Sequence, residues 1–370
     1  MKKILFLIHD LSVGGAEKVL VNLVNNMDRE QFDITVATLF GGGVNEQFLL
    51  PHIKRYSVWK KAFRGNSKIM KLLTPAQLHR ICVRGHYDIE VSYLEGPSAR
   101  VISGCRDVET KLVSWIHVEQ HTKACVAGAF RSYAEAVKCY QRYDRTVCVS
   151  EYVKNDFLSL VPLKNPVSVL YNTNESAQIL EKCHEPVEDI LFRDDEINLI
   201  GIGKISPMKG FDRLARIHKR LREEHYLVHT YILGIGPEQK KIQQYLEENA
   251  IAESFSFLGY QINPYKYVAK SDLFVCASWA EGFSTAATEA LIVGTPVCTV
   301  NVSGMKEMLG ENNEYGIVTE NDEESLYRGI RALIDNSDML SHYKIQARKR
   351  GKLFSTDNTV RAVEKLFLAI

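Results

Sequence analysis

Short apolar runs recur along the chain, separated by stretches whose apolar positions return every three or four residues. The runs at 4–8, 34–39, 89–93, 112–116, 146–149 and 167–170 read as strands, and a helical pattern covers 16–27 after the first of them. A second series occupies 198–201, 230–233, 255–258, 273–277, 296–299 and 316–318. Strands that are apolar on both faces and alternate with helices imply parallel βαβ units covered on both sides. Between 171 and 193 the text turns polar and irregular, and the pattern then restarts. The expected fold is α/β, with two doubly wound parallel-sheet (Rossmann-like) domains facing a cleft, one over 1–175 and one over 190–355. Residues 357–370 carry Val360, Val363, Leu366, Phe367 and Ile370 on one helical stripe, which asks for burial.

Composition narrows the class. A chain of 370 residues is long for a single core. Its net charge is +1, yet residues 1–172 hold 23 Lys and Arg against 16 Asp and Glu, so the first half is basic and the second acidic. That asymmetry suggests an anionic partner for the first half. None of the eight cysteines forms a C-x-x-C pair or a zinc-like spacing, and several sit in apolar runs. A reducing, cytoplasmic setting without disulfides or a metal is expected. The opening MKKILFLIHD mimics a signal peptide, but its apolar run ends at Ile8, too short for a secretory segment. It reads as a buried first strand, and no later segment approaches a membrane span.

The chemistry concentrates in SDLFVCASWAEGFSTAATEALIVGTPV. An apolar strand feeds a polar turn with Glu281 and Gly282, and small residues then open a helix that contains Glu289. Free N–H groups and the positive end of the helix dipole suit a phosphate there. Two carboxylates beside such an anion site could grip a ribose diol and a pair of sugar hydroxyls. Glutamates in first helical turns are also common for purely structural reasons, so the pair gains weight only from its company. Lys204 and Lys209 flank the loop after the first strand of the second series, where two ammonium groups could neutralise a diphosphate. Solvated surface lysines are the plain alternative. Gly14 and Gly15 follow the first strand and permit an unusual turn and the close approach of a ligand. They do not make the dinucleotide pattern. His117 ends a strand and could donate to a reacting sugar, although a satisfied half-buried histidine is the commoner case. His121, a turn further on if that loop is helical, is the blander of the two.

Gly-Gly-Ala-Glu after the first strand, G-K-x-x-x-x-K-G after the first strand of the second domain, and E-G-F-x5-E occur here in that order. Together they resemble the retaining glycosyltransferases of family 4, which have the GT-B fold, and the resemblance covers essentially the whole chain. The continuation EALIVGTPVCTVNVSGMKEML, with YLEGPSARVISG at 93–104, is similar to bacterial enzymes that build capsular and other surface polysaccharides. The resemblance implies that Glu289 binds the donor ribose and that Glu281 contacts donor sugar hydroxyls. It places Gly282, Phe283, Ser284, Thr285 and Ala286 against the diphosphate or sugar, and Gly203, Lys204 and Lys209 against the diphosphate. It puts the base near Tyr260, Gln261 and Ile262, the donor phosphate and acceptor near Gly14 and Gly15, and the transferred sugar at His117. It implies a nucleotide-sugar donor, UDP-linked, front-face transfer with retention, no cofactor and no metal. The C-terminal helix, about 356–370, would pack back on the first domain. Two positions depart from the pattern. Lys204 stands where arginine is usual, which keeps the charge and loses the bidentate fork. Ser284 stands where many members have glycine, which bears on the donor sugar. A nucleotide-sugar epimerase of similar fold and a non-catalytic nucleotide-sugar-binding subunit are the alternatives.

From 47 to 87 there is no Asp or Glu, while Lys54, Arg55, Lys60, Lys61, Arg64, Lys68, Lys71, Arg80 and Arg84 are interleaved with Tyr56, Trp59, Phe63, Ile69, Met70, Leu72 and Leu73. A basic, aromatic-bearing, partly helical surface fits an anionic membrane face or the pyrophosphate of a lipid-linked saccharide acceptor. The expected location is the inner face of the cell membrane. A solvated face is the ordinary outcome for such a run. Nucleic acid is disfavoured by the near-zero net charge and the lack of a binding module.

Overall fold

The computed structural model describes residues 1–12, 14–193 and 195–370. They form two compact units: Met1–Asn174 together with Thr356–Ile370, and Glu175–Ser355.

The first unit is built on a parallel sheet of seven strands among the described residues, in the order β3-β2-β1-β4-β5-β6-β7. These are β1 (Lys2–Ile8), β2 (Phe32–Phe40), β3 (Lys54–Trp59), β4 (Ile89–Ser92), β5 (Lys111–Ile116), β6 (Arg145–Cys148) and β7 (Val167–Val169). The central strands are buried on both faces, as Ile4 to Ile8 and Ile89 to Ser92 illustrate, because helices cover both sides. The stretch 47–87 is partly helical, with helices Asn66–Leu72 and Pro75–Cys82, and strand β3 is an element that its charge pattern did not suggest. Lys54 to Trp59 pair in parallel register with β2 at the sheet edge. Lys54 and Arg55 are exposed while Tyr56 to Trp59 are half-buried, as suits an edge strand, whose exposed charges also discourage pairing with another chain.

The helix Thr356–Leu368 completes this unit. Val360, Val363 and Phe367 are buried, and the Phe367 ring meets Phe6 edge-on at 5.8 Å. Lys2 Nζ donates to the carbonyls of Phe367 (2.8 Å) and Ile370 (2.7 Å), satisfying acceptors left open at the helix end. Glu364 accepts the backbone N–H of Asp28 at 2.7 Å.

Among the described residues the second unit carries six parallel strands in the order β10-β9-β8-β11-β12-β13. They are β8 (Ile197–Ile202), β9 (Val228–Leu233), β10 (Phe255–Gly259), β11 (Leu273–Cys276), β12 (Val297–Val300) and β13 (Ile317–Thr319). The polar stretch read as a linker contains a helix, Ser176–Lys182, which packs on the helices Tyr265–Lys270 and Thr285–Val293 of this unit. Its single buried residue, Ile179, is too little apolar signal to show a period. The strand order reverses between β8 and β11, which creates a crevice outside their carboxyl ends.

Replacing Phe367 by Ala should lower the stability of the first unit by about 3–5 kcal/mol, read from urea or thermal unfolding of the full chain. Lys2→Ala should cost about 1 kcal/mol, the worth of a typical hydrogen bond.

Candidate functional site

In the second unit the loops after β8 and β11 are locked together at the reversal point. Gly210 has φ +62, and a Cβ there would sit 1.9 Å from the Ala277 carbonyl oxygen, so only glycine allows this approach. The N–H of Trp279 donates to the Met208 carbonyl at 2.8 Å. Arg213, fully buried in the first turn of the helix Phe211–Glu223, donates from Nε to the Ala277 carbonyl (2.7 Å) and from Nη2 to the Ser278 carbonyl (2.9 Å). Its Nη1 donates to Asn321 Oδ1 at 2.9 Å. A buried guanidinium is tolerable only with such partners.

This lock presents the predicted residues. Lys209 ends the turn Pro207–Lys209, and its Nζ lies 2.5 Å from Glu281 Oε1. Ser278 Oγ donates to the same carboxylate oxygen at 2.5 Å. The aliphatic stem of Lys209 runs against Gly203, whose φ of +155 and lack of a side chain leave it that path. Lys204 is exposed and has no ion-pair or hydrogen-bond partner among the described residues. The structure therefore separates the two lysines: one is held by a carboxylate, the other is free.

The helix Thr285–Val293 starts directly behind Glu281. Ser284 is its N-cap, with Oγ accepting the Ala287 N–H at 3.3 Å. Thr285 and Ala286 then supply N–H groups that have no partner within the helix. Glu289 is buried, and Tyr265 donates its hydroxyl to Glu289 Oε1 at 3.4 Å. Phe283 is buried against Phe354, with ring centroids 5.8 Å apart, while Gly282 is half-buried. Tyr260 and Ile262 are exposed in the loop after β10, and Gln261 turns inward to donate to the Leu258 carbonyl at 2.7 Å.

The first unit carries its own predicted residues at the carboxyl edge of its sheet. His117 follows β5 and is buried, and its Nε2 lacks a hydrogen-bond partner. Burial pushes its pKa down to about 3, although a backbone hydrogen bond at Tyr93 opposes this, so the imidazole is neutral. The ring lies 4.9 Å from that of Tyr93, and the His117 N–H donates to Glu95 Oε2 at 2.9 Å. Glu95, which sequence reasoning missed, is itself raised in pKa by burial. His121 is not on a helix. It has φ +57, and Asp156 accepts its N–H at 3.2 Å and that of Gln120 at 2.6 Å.

The Gly14–Gly15 pair needs correction. Gly14 caps the helix Gly15–Asn26 with φ −163 and ψ 160, an extended conformation open to any residue. A Cβ on Gly14 would meet only the movable end of the Glu17 side chain, at 2.0 Å, and nothing lies within 4 Å of one on Gly15. Val13, in the same loop, lies outside the described residues.

The basic stretch is divided. Lys54 pairs with Asp33 at 2.6 Å and Arg55 donates to the Glu46 carbonyl at 2.5 Å. Trp59 stacks on Phe40 at 5.5 Å and meets Phe63 at 6.1 Å. Lys60, Lys61, Arg64 and Lys68 are exposed and unpartnered among the described residues, beside exposed Phe63, Ile69 and Leu72.

Two groups of metal-type donors occur among the described residues, His79–Glu90–Cys105 and Glu119–His121–Asp156, each with its donor atoms within 4.8 Å. The second includes His121 and begins two residues after His117. His79 Nε2 is already 2.7 Å from Glu90.

The family description "Glycosyltransferase Family 4" matches residues 13–173, and "Glycosyl transferases group 1" matches 185–350. This chain is a family 4 glycosyltransferase. The fold of this glycosyltransferase is GT-B: it aligns over 100% of both chains with Anabaena HepE solved in complex with UDP, at TM-score 0.77 and 18% identity. It is 26% identical, over 100% of both chains, to the N-acetylgalactosamine-N,N'-diacetylbacillosaminyl-diphospho-undecaprenol 4-alpha-N-acetylgalactosaminyltransferase of Campylobacter jejuni. A lipopolysaccharide core biosynthesis glycosyltransferase of Rhizobium meliloti is 23% identical over 89% of this chain and 87% of its own.

The neutral imidazoles set an acid limb. His117 and His218, both depressed to about 3 by burial, bind no proton in the folded chain where an unfolded histidine, near pKa ~6.5, does. Their contribution to stability is complete above that value and is lost as pH falls from about 6.5 toward 3. His117→Asn should flatten the fall in urea midpoint across that window, and an unchanged slope would contradict the assignment.

Proposed function

We propose that this glycosyltransferase takes its sugar from a nucleotide-sugar donor, UDP-linked, and passes it with retained anomeric configuration to a lipid-linked saccharide in surface-polysaccharide synthesis. The observation that carries this reading is the Lys209–Glu281 pair at the strand-order reversal, directly ahead of a helix N-terminus and of buried Glu289. A diphosphate placed there meets Lys209, Lys204 and the N–H groups of Thr285 and Ala286. Glu281 is then freed for sugar hydroxyls, while Glu289 takes the ribose and the exposed Tyr260 and Ile262 flank the base. By family resemblance, His117 serves the transferred sugar and the Gly14–Gly15 loop the donor phosphate and the acceptor. The C. jejuni relative, whose name specifies a diphospho-undecaprenol-linked acceptor and an alpha linkage, supports the acceptor class and retention. The HepE complex with UDP supports the nucleotide.

In the transfer step the acceptor hydroxyl oxygen bonds to the anomeric carbon as the bond from that carbon to the phosphate oxygen breaks. The hydroxyl proton passes to the leaving phosphate. The side chains act mainly by stabilising charge that grows on the diphosphate. No metal is assigned to this step.

No helix among the described residues is long and apolar enough to cross a membrane. The exposed cations Lys60, Lys61, Arg64 and Lys68, set beside Phe63, Ile69 and Leu72, suit the surface of an anionic bilayer, and we place the protein peripherally on the inner face of the cell membrane.

UDP should raise the melting temperature without added metal and in the presence of EDTA, by an amount corresponding to about 2.7 kcal/mol at a hundredfold excess over Kd. Glu289→Gln should abolish that shift, and loss of the wild-type shift on adding EDTA would refute metal independence. Lys209→Ala should lower kcat by about 10²–10³-fold if it stabilises the leaving group. Lys60, Lys61, Arg64 and Lys68 changed together to Gln should release the protein from anionic liposomes at low salt, and a wild type indifferent to such liposomes would remove the membrane assignment.

A further inference from the structure

Trp279 stands in the loop after β11, two residues before Glu281. Its backbone is fixed at both polar atoms, the N–H on the Met208 carbonyl at 2.8 Å and the carbonyl on Asn321 Nδ2 at 3.2 Å. Its ring is fixed as well. The buried Arg213 guanidinium lies over the indole at 3.9 Å from the ring centroid, while gripping the carbonyls of Ala277 and Ser278 on the same loop. With one face covered in this way, the residue is still 44% exposed. The other tryptophans differ: Trp115 is buried in the core, and Trp59 is half-buried in an aromatic stack.

Leaving an indole in water forgoes a large burial gain. A loop that holds the ring rigid without covering it has prepared a surface that something else completes. The neighbouring chemistry says what. Glu281, with Ser278 and Lys209 around its carboxylate, is a hydroxyl-binding group on the same short loop. A pyranose has both matching faces, a patch of C–H groups that packs on an aromatic ring and a rim of hydroxyls that bonds to a carboxylate. A rigid ring also loses little conformational entropy when the sugar arrives.

We infer that the open face of the Trp279 indole is a stacking platform for a pyranose ring, either the donor's sugar or a sugar of the acceptor saccharide. Arg213 is its positioning residue. The inference rests on the glycosyltransferase reading of the Lys209–Glu281 site. The competing role for the indole is a lid that shields Arg213 from water and touches no ligand.

The test uses the full chain and its Trp279→Ala and Trp279→Phe variants. Isothermal titration measures UDP, UDP-glucose and UDP-N-acetylgalactosamine. Saturation-transfer NMR with UDP present measures methyl α-glucoside and methyl α-N-acetylgalactosaminide as acceptor surrogates. On a donor platform, Trp279→Ala weakens one UDP-sugar about tenfold, leaves UDP unchanged, and is rescued by Trp279→Phe. On an acceptor platform, the saturation signal of a methyl glycoside falls in Trp279→Ala and returns in Trp279→Phe, with both UDP and UDP-sugars unaffected. If Trp279→Ala binds every probe as the wild type does, or weakens UDP and its sugars equally with a lowered melting temperature, the ring is only a lid and the inference is overturned. A wild type that binds neither UDP nor any UDP-sugar overturns the donor-site reading itself, and the platform with it.

Discussion

The second unit depends on one close approach of backbone to backbone. Gly210 meets the Ala277 carbonyl at a distance that no side chain would permit, and Arg213 then closes over the same carbonyl and the next. This contact joins loops whose strands, β8 and β11, lie side by side where the sheet reverses its order. Lys209 precedes Gly210, and Ser278, Trp279 and Glu281 follow Ala277, so the contact sets their mutual positions. A lysine and a glutamate that are 72 positions apart in sequence thereby come within 2.5 Å. Because the lock is made of glycine, carbonyls and a buried guanidinium, all from the protein itself, it can present preorganised charge to a ligand.

The electrostatics of the two units differ in kind. On the second, charge is paired and accessible, with Lys209 on Glu281 and Lys204 free in solvent. On the first, polar groups are buried where charge is disfavoured: His117 loses its proton affinity to burial and is neutral, and burial raises the pKa of Glu95. The second arrangement suits the gripping of an anion. The first suits directional hydrogen bonding with little competing charge.

Most of the strands were legible because both of their faces are apolar, and helices were legible where a stripe of Val, Leu and Phe repeats. Lys54–Trp59 escaped because an edge strand with one exposed flank can carry lysine and arginine, which reads as surface. Ser176–Lys182 escaped because it buries little beyond Ile179. At the candidate site, the residues tied to short motifs were readable: Lys209, Glu281 and Glu289. Arg213, Ser278, Trp279 and Glu95 were not, because their importance comes from partners far away in sequence or from a backbone atom that no residue letter encodes. The unusual turn expected at the glycine pair is absent, since Gly14 adopts an ordinary extended conformation that its residue type alone could not reveal.

The helix Thr356–Leu368 joins a unit whose other residues all precede Glu175. During synthesis the second unit, continuous in sequence, has every partner it needs once Ser355 has emerged. The first must wait, with the Phe6 side of its sheet uncovered, for Phe367 to arrive and for Lys2 to find carbonyls more than 360 positions away. At ~5–20 residues per second that wait lasts on the order of tens of seconds. The unit begun first is thus finished last, and its exposed apolar face is the surface that a chaperone would have to guard in the interval.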